Sequence, residues 1–314
     1  MASERALELA ARLWGWRPHS DGQRDAFARR GNMMINQGDD AELWSRERVR
    51  EEVPYLDFEQ TRFPIYGGLM HRRGGTARHD AVAWGYARGA DQRGVDLIEN
   101  CEVTGIDTSG GKVTGVQTSR GVIRAKKVAM VVAGRSSQVA AMAGMRLPIE
   151  SHILQAFVTE GLKPVIDHVV SFGMGHFYIS QSDKGGLVFG GDLDMYASYA
   201  ARGNLPMVEH VAEAGMTLMP MIGKARMLRS WGGIMDMTPD GSPIIDKTHI
   251  EGLYLNAGWC YGGFKAVPAS GHCFAYLLAT DRPHSAAARF RLDRFRSGRG
   301  LMDEEGTGAQ HNLH

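Results

Sequence analysis

At 314 residues the chain can hold one large domain or two interleaved ones, and 43% hydrophobic against 23% charged residues is an ordinary globular balance. Lys+Arg 36 against Asp+Glu 35 leaves a formal charge of +1, which excludes the basic excess of a nucleic-acid binder and the acidic excess of a solvating tail. No apolar run approaches the ~18 residues of a membrane helix, and no signal-peptide core opens the chain. Cys101, Cys260 and Cys273 show neither CxxC nor paired spacing, so no disulfide framework or zinc site is signalled and a reducing cytoplasm fits.

The first 13 residues read as a helix, with Leu7, Ala10 and Ala11 on one side. Gly15 to Phe27 is polar and punctuated by Gly and Pro, and no element is expected there. Arg30-Gly31 with Met33–Ile35 reads as a short strand. Ser45 to Val53 is expected to be a charged helix closed by Pro54, which cannot continue it.

The most organised stretch runs from Gly74 to Gly134. Thr76 is a plausible N-cap, which places His79 in a first helical turn, and Val82, Tyr86 and Ala90 recur at i, i+4, i+8 on one apolar face. Gly94 stops that helix and Val95–Ile98 is expected to start a strand. A meander follows, with turns at Ser109-Gly110-Gly111 and Ser119-Arg120-Gly121. It returns to the apolar run Val128–Val132 and Ala133-Gly134.

From Ile149 the pattern changes to alternation. Ile153, Gln155, Phe157 and Thr159, then His176–Gln181 and Leu187–Gly190, suggest antiparallel strands, with Asp183-Lys184-Gly185-Gly186 a hairpin signal between the last two. Leu205–Met219 reads as a helix with Val208, Val211, Ala212 and Gly215 inward. A strand at Leu253–Leu255, a glycine-rich loop Asn256–Lys265 and a helix from about Pro268 to Leu278 close the organised part, and residues 301–314 read as a polar tail.

Two places can carry chemistry. A histidine in a first helical turn feels the positive helix end, which favours the neutral ring with a free lone pair, able to ligate a metal or attack an electrophilic carbon. The residues alone leave this open against an ordinary solvated histidine. The loop Asn256-Ala257-Gly258-Trp259-Cys260-Tyr261-Gly262-Gly263-Phe264-Lys265 joins a strand to a helix start, an arrangement that aims backbone N–H groups and a positive helix end at one point. The remaining histidines show no HExxH or other ligand spacing, and His152, Arg229 and Trp231 read as packing or paired residues.

The stretches GGTARHDAVAWG, GVDLIENCEVTGI, SHILQAFVTE, FYISQSDKGGLVFGGDLD, LRSWGGIMDMTPDGSPIID and LYLNAGWCYGGFK resemble the β subunit of heterotetrameric sarcosine oxidase, within the D-amino-acid-oxidase-like flavin amine oxidases. The resemblance covers about Arg30 to about Asp303. It implies an α/β (α+β) fold: an FAD/NAD(P)-binding, glutathione-reductase-like domain with an inserted antiparallel-sheet substrate domain. The implied division is 1–148 and 231–300 for the cofactor domain, 149–230 for the substrate domain and 301–314 for a flexible tail. No GxGxxG occurs, so the family's first βαβ unit is expected to be missing and the chain to be N-terminally truncated.

The resemblance further implies non-covalent FAD and covalent FMN, the latter bonded to His79 through the flavin 8α-methyl carbon. Val103 matches the position where backbone pairs with the adenine of FAD. Gly134, Gly258, Gly262, Gly263 and Phe264 match positions near the cofactor, and Thr238–Pro243 matches a turn that packs near the flavin. Lys265 matches a substrate-carboxylate position and Tyr178 a tyrosine that faces substrate. The implied partners are α, γ and δ subunits, a small N-methyl amino acid and tetrahydrofolate through the α subunit, with no nucleic acid and no membrane. The implied reaction yields glycine, a one-carbon unit at the formaldehyde level and hydrogen peroxide. Against it stand a non-catalytic or partner-binding remnant without tight FAD binding, and an oxidase for glycine or dimethylglycine.

Overall fold

The computed structural model describes residues 5–11, 22–60, 62–172, 177–194 and 196–297. Its largest element is an eight-stranded sheet in the order β12-β8-β11-β10-β9-β1-β3-β2. Along the chain these are β1 (Arg5–Ala11), β2 (Ala41–Ser45), β3 (Ile65–His71), β8 (Glu150–Gly161), β9 (His168–Phe172), β10 (Phe177–Gln181), β11 (Gly186–Leu193) and β12 (Met227–Met237). All neighbours pair antiparallel except β1 and β9. The sheet therefore takes strands from residues 5–71 as well as from 150–237, and its membership runs across the expected division at residues 148 and 231.

One face of this sheet is packed. Phe157, Phe172, Phe177, Ile179 and Phe189 lie against Val211, Ala214 and Leu218 of helix α5 (Leu205–Leu218) and against Val49 of helix α2 (Arg46–Glu52). The alternation along β10, with Phe177, Ile179 and Gln181 buried and Tyr178 and Ser180 half-buried, is the period of two that a one-sided sheet imposes. Helix α2 forms as its sequence predicts. The Ser45 hydroxyl accepts the Arg48 N–H at 3.3 Å, and the helix stops at Val53 before Pro54.

Two expectations near the start fail. Arg5–Ala11 is a strand rather than a helix, because its backbone is claimed on one side by β3 and on the other by β9, residues 168–171. Leu and Ala are good helix formers, but intrinsic propensity is small in energy and tertiary pairing overrides it. The segment around Arg30–Ile35 is not a strand but lies within helix α1 (Gly22–Asn36), which also begins inside the stretch expected to lack an element. Phe27 and Met34, two turns apart, cover Ala41 and Leu69. The expected hairpin at Asp183–Gly186 forms between β10 and β11; His176 lies outside the described residues.

The second body holds two small sheets. Strands β4 (Val103–Ser109), β5 (Lys112–Thr118) and β6 (Gly121–Arg124) form the expected meander. Strands β7 (Val128–Met130), β13 (Ile244–Lys247) and β14 (Leu253–Ala257) form a sheet in the order β13-β14-β7, with β14 parallel to β7. Helix α6 (Gly263–Thr280) covers it by packing Cys273, Phe274 and Leu277 on Ile245 and Tyr254. A short helix α4 (Ser136–Ala141) leads towards β8, and the last turn, α7 (Arg294–Ser297), carries Arg294. Arg294 is buried and donates to both carboxylate oxygens of buried Asp240, at 2.7 and 3.0 Å.

Helix α3 (His79–Asp91) contrasts with this packing, since none of its residues is buried. The expected strand at Val95–Ile98 does not form, and Val95, Leu97 and Ile98 stay half-exposed. A strand exists through its ladder, and among the described residues no neighbouring strand lies beside this segment. β7 is likewise an edge strand, with Val131 59% exposed beyond it.

Candidate functional site

The parallel strands β7 and β14 end side by side, and each runs into a left-handed non-glycine residue, Ala133 (φ 44°) and Cys260 (φ 49°). Each then makes a tight helical turn and enters a helix, α4 or α6. Such backbone costs about 1–3 kcal/mol per residue and persists where the surroundings over-determine it. Here they do. The Gly134 carbonyl accepts the buried Ser151 hydroxyl at 2.7 Å, and a methyl group on Gly134 would fall 2.4 Å from the Ile234 carbonyl oxygen. Gly258, at φ 74°, donates its N–H to the Asp236 carboxylate at 2.5 Å, and a methyl there would meet the Thr238 methyl at 2.4 Å. The Cys260 sulfur accepts the Thr238 N–H at 3.4 Å.

The outer side of the second loop is open. A carbon added to Gly262 would meet nothing within 4 Å, and Phe264 is half-exposed. Helix α6 begins at Gly263, five residues before the expected Pro268, so Gly263, Phe264 and Lys265 form its first turn. No side chain caps that turn. Lys265 is exposed and donates to the Tyr261 carbonyl at 3.3 Å. A cation in a first turn is disfavoured by the helix dipole, and an anion placed there is favoured by both the dipole and the ammonium.

The sheet faces this loop with its unpacked side. Leu154 of β8 and Met235 of β12 join Tyr261, and all three pack against Leu193, Met237 and Cys260. Further along the same face, Tyr178, Gly190, Ala156 and Trp231 are register partners in one row across four strands. The Tyr178 hydroxyl rests on Gly190, where an added carbon would approach it to 2.6 Å. Burial raises the phenol pKa of Tyr178; burial first, and then the Asp192 carboxylate, raises that of Tyr261. Trp231 is not a packed residue as expected but 45% exposed on the sheet edge, and Arg229 is exposed beside it. His152 is paired, its Nδ1 lying 2.8 Å from the Asp194 carbonyl. A cleft of about 2020 Å³ adjoins the site, and Leu193, Met237, Thr238, His152, Asp192 and His210 are among the residues that line it.

The structure thus gathers Gly134, Gly258, Gly262, Gly263, Phe264 and Lys265 at the ends of two adjacent strands, with Tyr178 on the sheet opposite. It does not join His79 or Val103 to them by any hydrogen bond or ion pair among the described residues. Val103 opens β4 opposite Thr118. His79 is the first residue of α3 and exposed, and the N-cap is Arg78 rather than Thr76, because the chain stays extended up to that residue (φ −74°, ψ 97°). Beside it the Asp80 carboxyl is held below its usual range, chiefly by the Ala81 N–H and then by Arg78. The apolar stripe Val82, Tyr86 and Ala90 faces outward, with Tyr86 52% exposed. Sequence reasoning missed Ser151, Leu154, Met235 and Asp236, whose places arise only from cross-strand register, and assigned nothing to Tyr261 within the loop it named. No group of three or more His, Cys, Asp or Glu side chains suited to a metal occurs among the described residues. No described helix is long and apolar enough to cross a membrane.

Residues 1–277 match the family described as DAO, FAD dependent oxidoreductase. Over 296 residues the chain is 69% identical to sarcosine oxidase subunit beta of Rhizobium meliloti (strain 1021), covering 94% of this chain and 71% of that protein. The chain belongs to the sarcosine oxidase β-subunit family. It is also 50% identical to the Rhodobacter capsulatus subunit beta (84% of this chain, 64% of that protein) and 46% identical to that of an Arthrobacter species (87% and 67%). It therefore spans about two thirds of its relatives' length. Among solved structures, L-proline dehydrogenase from P. horikoshii superposes with a TM-score of 0.83 at 25% identity, covering 94% of this chain and 77% of that one. Glycine oxidase from Geobacillus kaustophilus superposes at 0.78 with 20% identity, covering 93% and 75%. The fold is the FAD-binding fold of this family, and the family's chemistry is flavin-dependent amine oxidation.

The loop fits a flavin. Its glycine opens onto free space, its helix start is uncapped, and its lysine stands where an anion is favoured.

Proposed function

We propose that this chain works as the β subunit of a multi-subunit sarcosine oxidase, converting sarcosine or a close N-methyl amino acid, with water and oxygen, into glycine, a one-carbon unit at the formaldehyde level and hydrogen peroxide. Bound FAD would supply the acceptor for a hydride from the methyl carbon, and FMN the outlet to oxygen. The observation that carries this reading is the open, uncapped turn Gly262–Lys265 within a chain 69% identical to a sarcosine oxidase β subunit.

In this reading the backbone of Gly134, Gly258, Gly262, Gly263 and Phe264 lies along FAD, with Val103 at its adenine end. Lys265 binds the substrate carboxylate and so aims the N-methyl group, a positioning role that needs a fixed cation more than a reactive one. Tyr178 borders the substrate from the sheet. His79 holds FMN covalently; its exposed place at the start of α3 leaves the ring accessible for that bond and for a partner to cover. The partners are α, γ and δ subunits, with tetrahydrofolate reached through the α subunit, in the cytoplasm. The cofactor body is residues 72–148 and 238–297, with the large sheet as its substrate-facing partner. A second reading, a partner-binding subunit without tight FAD binding, is favoured by one observation, that α3 buries nothing.

The test is expression together with the α, γ and δ subunits, followed by acid precipitation and intact-mass measurement. The wild-type chain should keep yellow colour in acid and gain the mass of one FMN, and His79→Ala should lose both completely. Acid-stable flavin in His79→Ala, or no mass gain in the wild type, defeats the FMN assignment.

A further inference from the structure

Ser151 and Asp236 face each other directly across β8 and β12. Both are buried, at 3% and 4% exposure. Their side chains point away from the substrate-facing row, and each reaches one of the two loops that follow β7 and β14. The Ser151 hydroxyl donates to the Gly134 carbonyl at 2.7 Å, and Asp236 Oδ2 accepts the Gly258 N–H at 2.5 Å. The Trp259 N–H also reaches Asp236. Among the described residues no cation pairs with this carboxylate, so backbone donors are what offset its burial. A buried carboxylate without a cation is costly, and each charge-assisted bond to it contributes about 1.5–3 kcal/mol.

We infer that Ser151 and Asp236 are positioning residues, a cross-strand clasp on the large sheet that sets where both loops stand. The clasp acts through backbone groups. Asp236 fixes the start of the turn whose later residues, Gly262 to Lys265, open outward, and Ser151 fixes the equivalent turn after β7. Ile234, two residues before Asp236 on the same face, completes the seat by lying under Gly134. Both loops are thereby referred to one pair of adjacent strands, and those strands carry Leu154 and Met235 on their other face, packed with Tyr261 around Leu193, Met237 and Cys260. Substrate-facing side chains and cofactor-facing backbone thus share one frame. The consequence for flavin rests on the function proposed above; the consequence for the loop does not.

The chain carries a reporter for the loop. Cys260 is buried in the turn that Asp236 holds, whereas Cys273 is buried separately, on the inner face of α6. The experiment compares wild type, Asp236→Ala, Asp236→Asn and Ser151→Ala in the full chain. It measures the rate of modification of each cysteine by a disulfide reagent, read by peptide mass, and the affinity for added FAD by fluorescence titration. In Asp236→Ala, Cys260 should react about tenfold faster while Cys273 changes less than about twofold, because a local opening has been released. Asp236→Asn keeps an acceptor for the Gly258 N–H and should recover most of the protection. FAD should bind about tenfold more weakly to Asp236→Ala and to Ser151→Ala. Equal acceleration at both cysteines would mean general destabilisation and would overturn the clasp, as would an unchanged Cys260 rate. Should wild type fail to bind FAD, the proposed function is what falls, and the cysteine rates still decide the clasp.

Discussion

The two sides of the second body, residues 72–148 and 238–297, differ in how far they specify themselves. On one side β14 is buried at every residue, its loop is tied to β12 by hydrogen bonds, and α6 closes over it. On the other side α3 buries no residue, β6 is exposed throughout, and Val95–Ile98 joins no ladder among the described residues. The same kinds of apolar residue occur on both sides. Burial decides which become structure with a fixed place, because a loop's left-handed residues or a strand's unpaired groups are tolerated only where neighbours hold them. The first side is a finished site. The second is an exposed surface.

That contrast can be broken most directly at Asp240. Replacing it with Asn leaves Arg294 buried with a neutral partner, and the chain should lose about 3–5 kcal/mol of stability; denaturant unfolding with an unchanged midpoint would show that the finished side does not depend on its buried pair. Next in size is Lys265→Met. It should weaken binding of a carboxylate inhibitor such as acetate by about tenfold to a hundredfold, the worth of one charged hydrogen bond, and unchanged affinity by titration would remove Lys265 from the site. The smallest effect is expected on the open side. Trp84→Ser, on α3 at 59% exposure, should shift stability of the isolated chain by no more than about 0.5 kcal/mol. A large loss there would mean that α3 is packed within the chain after all and would erase the comparison.

Local signals in the sequence were sound wherever local physics governs. Ser45 with Pro54 framed α2, Asp183–Gly186 turned the hairpin, and Gly110-Gly111 and Gly121 turned the meander. The loop around Gly262–Lys265 was legible as strand, glycine and helix start, though α6 starts within it. What could not be read depends on distant partners. Arg5–Ala11 took β geometry from residues 65–71 and 168–171. Val95–Ile98 has strand composition but, among the described residues, no neighbouring strand to express it. Asp236 looks like any acidic residue before a turn until Gly258, 22 positions away, donates to it.

The Asp240–Arg294 pair also shows that the folding unit reaches past the family match. The family match closes at residue 277, a natural place for an experimenter to cut. Yet Arg294 lies 17 positions beyond that point and reaches back to Asp240, and also donates to the Ser242 carbonyl. A shortened version ending at the match would strand the Asp240 carboxylate in the interior without its guanidinium. The boundary that matters to the molecule is set by an electrostatic debt to residue 294, not by the end of recognisable similarity.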